Sequence, residues 1–249
     1  MIWKRCGVVL VLAVALNLSS LVSRAQTAAA PAKVILDTDI GDDVDDVFAL
    51  GLALTSPEVK ILGVTSAWGD TALRSRMIDR LLCETGRSDI PVRTGIASKT
   101  TTVFTQKAWA SQGIEREHGD AVSFLLEQIK LNPNEITLIA VGPLTNIGAA
   151  IERDPETFRK LKRVVLMGGS VYRGYGDLGY TPHREPIAEY NIMMDIPAAQ
   201  KLFQSGVPIF MMPLDSTQIK FDEVKRSMLA SISTPLTDTL QIQIGRAHV

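Results

Sequence analysis

Six of the ten residues from Asp37 to Asp46 are aspartates: Asp37, Asp39, Asp42, Asp43, Asp45 and Asp46, within the stretch VILDTDIGDDVDDVFALGLAL (34–54). Like charges at that density repel, and taking them out of water is costly. A solvated turn around Gly41 would account for Asp42 or Asp43. It does not account for a whole cluster held between the apolar Val34-Ile35-Leu36 run and the helical pattern DDVFALGLAL. Asp45 and Asp46 open that helix, whose N-terminus offsets only about 0.3–1 kcal/mol per exposed negative group. A hard divalent cation with oxygen ligands would neutralise the cluster. With no cysteine or histidine beside it, calcium is favoured over zinc. The spacing is not that of an EF-hand loop, because no glutamate closes a matching pattern.

The elements around this cluster follow a regular alternation. Short apolar runs, KVILD, VKILGVTS, IPVRTG, ITLIAVG, RVVLMGG and VPIFMMP, read as strands, and the segments 45–55, 71–86, 119–131, 144–153 and 197–205 read as helices. Continuous apolar strands separated by helices predict an α/β fold with a mostly parallel central sheet covered on both faces. The polar motifs DTDIGDD, TSAWGD, VGPLTN, MGGS and PLDST each directly follow one of these runs. In open parallel sheets ligand sites form beyond the carboxyl ends of the strands, so five such loops point to one crevice. Asp37 and Asp39 alternate and are expected to share a face. The stretch 98–118 and YRGYGDLGYTPHREP lack periodicity and are expected to be loops over the site; Phe104 and Trp109 fit a base cap, lid packing or plain surface alike.

VILDTDIGDDVDD, VGPLTNIGAAI, VVLMGGS and AEYNIMMDIPAA, in this order over about 34–215, resemble the inosine-uridine preferring nucleoside hydrolase family. The resemblance implies a Rossmann-like α/β fold, a bound Ca2+, and hydrolysis of the N-glycosidic bond of small-molecule ribonucleosides to ribose and free base. Residue by residue, it implies that Asp39 ligates calcium and acts as base on a calcium-bound water. It makes Asp46 a calcium ligand, and the Val141 backbone carbonyl another. Asp45, Met167, Glu189 and Asn191 match positions that hold the ribose. Such a site suits the chemistry: breaking a ribosyl bond builds positive charge on the sugar ring, which nearby carboxylates stabilise.

The sequence departs from the family in places. Five residues separate Asp39 from the Asp45-Asp46 pair where the family usually has three, so Asp42-Asp43 compete for the paired-aspartate roles; the helix start at DDVFAL favours 45–46. The family asparagine after the second strand is absent, with Asp70 near its place, and a ribose-binding asparagine before AEYN is replaced, with His183 near its position. The expected AEYN geometry is an extended segment in which Glu189 and Asn191 face the same way.

Composition places the chain among ordinary globular proteins: 249 residues, 46% hydrophobic, 21% charged, net charge -1, with no basic excess for nucleic acid. Lys4 and Arg5, the run GVVLVLAVALNL and the exit SSLVSRA read as a secretory signal peptide over 1–25, followed by a flexible lead-in over 26–32. The run is short for a stable membrane anchor, so a secreted or periplasmic protein is expected, with homo-oligomers possible by resemblance. Cys6 falls inside the signal, which leaves Cys83 unpaired and expected in the core, as is the Met211-Met212 pair.

The final IGRAHV is the in-frame translation of a common sequencing adapter preceded by AG, a codon ending that Gln243 satisfies. Residues 244–249 are therefore expected to be read-through, and 33–243 a C-terminally truncated nucleoside hydrolase-like domain; His248 is not taken as the family histidine. Two other functions compete. An exported nucleoside- or sugar-binding protein would keep the ribose contacts without turnover. A haloacid-dehalogenase-like phosphatase would use Asp37 in VILDTDIG as nucleophile, but leaves AEYN without a role.

Overall fold

The computed structural model of the chain describes residues 30–245. The signal segment 1–25, most of the lead-in and residues 246–249 lie outside the described residues. Six strands form one sheet: β1 (Ala32–Thr38), β2 (Val59–Ser66), β3 (Val92–Arg93), β4 (Thr137–Ala140), β5 (Arg163–Met167) and β6 (Ile209–Met212). All pairings are parallel, in the order β3-β2-β1-β4-β5-β6. The chain builds outward from β1 on one side and from β4 on the other. Loops leaving these two central neighbours therefore diverge and open a crevice at their carboxyl ends.

Helices cover both faces because side chains alternate along each strand. Ile35 and Leu138 join an apolar cluster with α4 (Ala121–Leu131), α5 (Thr145–Arg153), α6 (Pro155–Phe158) and α8 (Ile196–Gln204). Leu36 and Val64 join a second cluster with α1 (Asp45–Thr55), α2 (Thr71–Glu84), α3 (Lys107–Ala110) and α11 (Pro235–Ile244). The remaining helices are α7 (Tyr190–Met194), α9 (Leu214–Thr217) and α10 (Glu223–Ala230). The five long helical patterns read from the sequence correspond to α1, α2, α4, α5 and α8. Of the others, α3, α6, α7 and α9 are four- or five-residue turns, too short for a 3.6-residue period, and α10 buries no side chain; α11, which buries Leu240 against α1 and α2, is not among the patterns read from the sequence.

Two core assignments are corrected. Cys83 is exposed: α2 buries Met77, Ile78, Leu81 and Leu82, and one residue further the helix turns its next side chain to solvent. Met211 and Met212 are 36% and 44% exposed, and Phe210 53%. Their apolar run is real, but β6 is the last strand of the sheet, so one side of it has no neighbour among the described residues. An apolar strand with an open edge is a template for pairing with another chain. Met212→Lys is accordingly expected to reduce concentration-dependent self-association in sedimentation velocity. Equal association of variant and parent would show that the β6 edge does not drive it.

Candidate active site

The switch point between β1 and β4 is where the acidic motif arrives. β1 ends at Thr38, so the alternation expected to put Asp37 and Asp39 on one face stops between them. Asp37 is fully buried. Its Oδ1 accepts from Thr65 Oγ1 and, at 2.8 Å, from Asn146 Nδ2, while its Oδ2 has no partner. Burial, the largest influence, pushes its pKa up to about 7 against the pull of those two donors. A carboxyl group sealed in this way is not placed to attack a phosphate, which removes the nucleophile of the phosphatase reading.

Asp39 instead lines a cavity of about 260 Å³ together with Asp42, Asp43, Asp45, Asp46, Thr102, Val141, Met167, Tyr175, Glu189, Tyr190 and Asn191. Asp39 and Asp46 are neighbours in this cavity, and the charge of each acts on the other. Burial and mutual repulsion raise Asp46 well above the carboxylate range. Burial likewise lifts Asp39 to about 6, opposed chiefly by Arg74. Asp45 is raised by its surroundings and then by Asp43, but it is exposed at the rim, where water screens that push. Asp42 is not free for a paired role, since Arg74 Nη2 binds its Oδ2 at 2.8 Å. Asp43 accepts the Val44 N–H at 2.7 Å in the exposed turn.

Close backbone approach makes this crowding possible. Gly142, just past β4, lies against Asp39: a Cβ there would sit 2.7 Å from Asp39 Oδ1. Gly41 has φ of +123° and the Phe104 ring packed over it, which fits the small-residue turn read from the sequence.

The AEYN motif reaches the cavity by a different geometry from the extended segment expected. Glu189 is the N-cap of α7; its Oε1 accepts from Asn191 N at 2.9 Å and its Oε2 from Gly169 N at 2.9 Å. Asn191 Nδ2 donates to the carbonyls of Val141 at 3.0 Å and Met167 at 3.1 Å. A helix cap thus gathers Glu189, Asn191, Met167 and Val141 at one wall.

Two expected residues do not reach the cavity. Asp70 is exposed and caps α2 through Leu73 N at 3.0 Å. His183 is 60% exposed and its Nδ1 pairs with Asp177 Oδ2 at 2.9 Å. The cavity is lined in addition by residues the sequence did not single out. Tyr175 OH accepts the Tyr190 N–H at 3.0 Å, and Tyr190 OH joins Thr102 Oγ1 at 2.7 Å and Trp68 Nε1 at 3.2 Å. Thr102 brings the aperiodic 98–118 stretch to the site. Trp109 is buried under Arg80 and caps nothing. Asp70 and His118 line a separate open groove of about 930 Å³, in which Arg76 pairs with Glu115 at 3.4 Å and Arg116 reaches out to Asp79.

The family model described as inosine-uridine preferring nucleoside hydrolase matches residues 34–246. The chain belongs to this family. It is 33% identical over 225 residues to a probable uridine nucleosidase of Arabidopsis thaliana, covering 84% of this chain and 67% of that protein. It is 34% identical over 226 residues to a pyrimidine-specific ribonucleoside hydrolase of an Enterobacter species, covering 83% and 68%. A solved plant nucleoside hydrolase superposes with a TM-score of 0.74 at 29% identity, covering 86% of this chain and 70% of that one. The chain spans about two thirds of the length of the curated relatives it matches, from 60% to 68%.

Asp37 yields a prediction whose sign follows from its raised pKa. The unfolded chain ionises near the ordinary 3.8, whereas the folded chain keeps the proton to about 7. Its contribution to stability is therefore full below pH 4 and is lost as pH rises through 7. Asp37→Asn mimics the protonated acid. In calcium-free urea unfolding it should match the parent near pH 4 and exceed it at pH 8 by on the order of 2–4 kcal/mol. Parallel stability curves would show that Asp37 is not held protonated.

Proposed function

We propose that this chain carries the site of a calcium-dependent ribonucleoside hydrolase, an exported enzyme that cleaves the N-glycosidic bond to give ribose and free base. The observation that carries the reading is the confluence of Asp39 and Asp46 with Val141, Met167, Glu189 and Asn191 in one cavity at the switch point. The donor set suits a hard cation: two mutually repelling carboxylates and a carbonyl, all oxygen. Among the described residues no three His, Cys, Asp or Glu side chains form a ready metal cluster. The cradle as it stands is thus two carboxylates, Asp39 and Asp46, completed by the Val141 carbonyl. Calcium, when bound, supplies positive charge that orients a sugar diol and acidifies water.

The chain's own residues then divide the work. Asp39 accepts the proton of the attacking water. Asp45, at the rim, holds a ribose hydroxyl. Glu189 and Asn191, fixed by the α7 cap, grip the sugar from the opposite wall, and the carboxylates around the ring favour its developing positive charge. Met167 offers an apolar face, and the Tyr175 hydroxyl a polar group. The names of the relatives make pyrimidine ribosides the first substrates to test.

The experiment is release of free base and reducing sugar from uridine and inosine with added calcium. Calcium-dependent base release supports the reading, and Asp39→Asn should then reduce kcat by at least about 100-fold. Asp45→Ala should raise KM far more than Asp43→Ala. Riboside binding with no base release would instead favour the binding-protein reading, and a larger effect at Asp43 would move the sugar site into the turn.

A further inference from the structure

Five residues separate Asp39 from the Asp45-Asp46 pair, and one side chain from a different element spans this loop. Arg74, in the first turns of α2, is 1% exposed. Its Nη1 donates to the carbonyls of Asp39 and, at 2.9 Å, Ile40; its Nε donates to the Trp68 carbonyl at 2.8 Å; its Nη2 pairs with Asp42 Oδ2 at 2.8 Å. Its guanidinium also lies 5.0 Å from the centre of the Phe104 ring, the same ring that packs over Gly41. A buried cation is retained only when it is paired and its donors are satisfied, and here three of its four hydrogen bonds go to the loop that presents Asp39.

We propose that Arg74 is a positioning residue for the acidic cavity: by fixing the Asp39 and Ile40 carbonyls and pairing with Asp42, it holds the loop so that Asp39 faces Asp46 as a preformed calcium cradle. This rests on the calcium-dependent reading above. The direction of the effect is informative. Arg74 is positive, so as a bare charge it opposes a second cation, and deleting it would tighten calcium binding. As an organiser, deleting it must weaken binding, because the carboxylates lose their fixed geometry. Asp42 resolves the tension, since the ion pair leaves little net charge facing the cavity. Lysine can supply the charge but only a single nitrogen, which cannot reach four acceptors at once.

The test is calcium affinity by calorimetry for the parent, Arg74→Met and Arg74→Lys, each with its metal-free thermal unfolding midpoint. Arg74→Met is expected to lose 10–100-fold in affinity, the range typical of residues that orient metal ligands, and Arg74→Lys to fall between it and the parent. Unchanged or tighter binding in a folded Arg74→Met overturns the proposal while leaving the calcium reading intact. So does an affinity loss that merely follows a lowered midpoint and that lysine does not recover. If Arg74→Met does not fold, Arg74→Lys decides alone: a loss beyond about threefold supports the role, and parental affinity rejects it. No calcium uptake by the parent would reject the calcium reading itself, and this inference with it.

Discussion

Two carboxylates, the half-buried Asp39 and the buried Asp46, sit together between the end of β1 and the start of α1, and the arrangement around them follows from their repulsion. Neither can move away. Asp39 is pinned by its carbonyl to Arg74 and hemmed by Gly142, and Asp46 is committed to the first turn of a helix whose Val47 and Leu50 are fully buried. Without a cation the pair can only share protons, and burial drives both pKa values upward. A fold that spends core positions on such a conflict holds a site poised for positive charge.

The sheet order explains why this conflict occurs where it does. β1 and β4 are neighbours whose following segments leave in opposite directions, so the space beyond them is not filled by a crossing loop. The far wall is built by a separate device. Glu189 spends both carboxylate oxygens on backbone N–H groups of α7 and Gly169, which fixes the chain so that Asn191 meets the ends of β4 and β5. One wall carries the crowded acidic loop, the other the Glu189 cap of α7.

Much of this was legible in the sequence, for identifiable reasons. The six strands are apolar runs with polar ends, and helices such as α5 and α8 carry a strong 3.6-residue stripe, so both periods could be counted. The aspartate crowding needs no tertiary information to be recognised as costly. What escaped depends on contacts distant in sequence. Arg74 reads as an ordinary helix arginine until the loop it holds, 32 to 35 residues earlier, is placed beside it. Tyr175 and Thr102 lie in aperiodic stretches with no pattern to fix their direction. Asp70 was misplaced because an aspartate before a helix is most often a cap, as it is here. Met211 and Met212 were misread because the sequence of a buried strand and of an edge strand can be equally apolar, and only the sheet order distinguishes them.

The central claim is that Asp39 and Asp46 are held together by the fold as the two carboxylate arms of a cation site. The most direct measurement is a calorimetric calcium titration of the parent beside Asp39→Asn and Asp46→Asn, each shown to be folded. The account predicts that the parent binds calcium and that each substitution weakens binding by at least about tenfold, since each removes one charged oxygen ligand of a hard cation. Calcium affinity unchanged in both variants would contradict it.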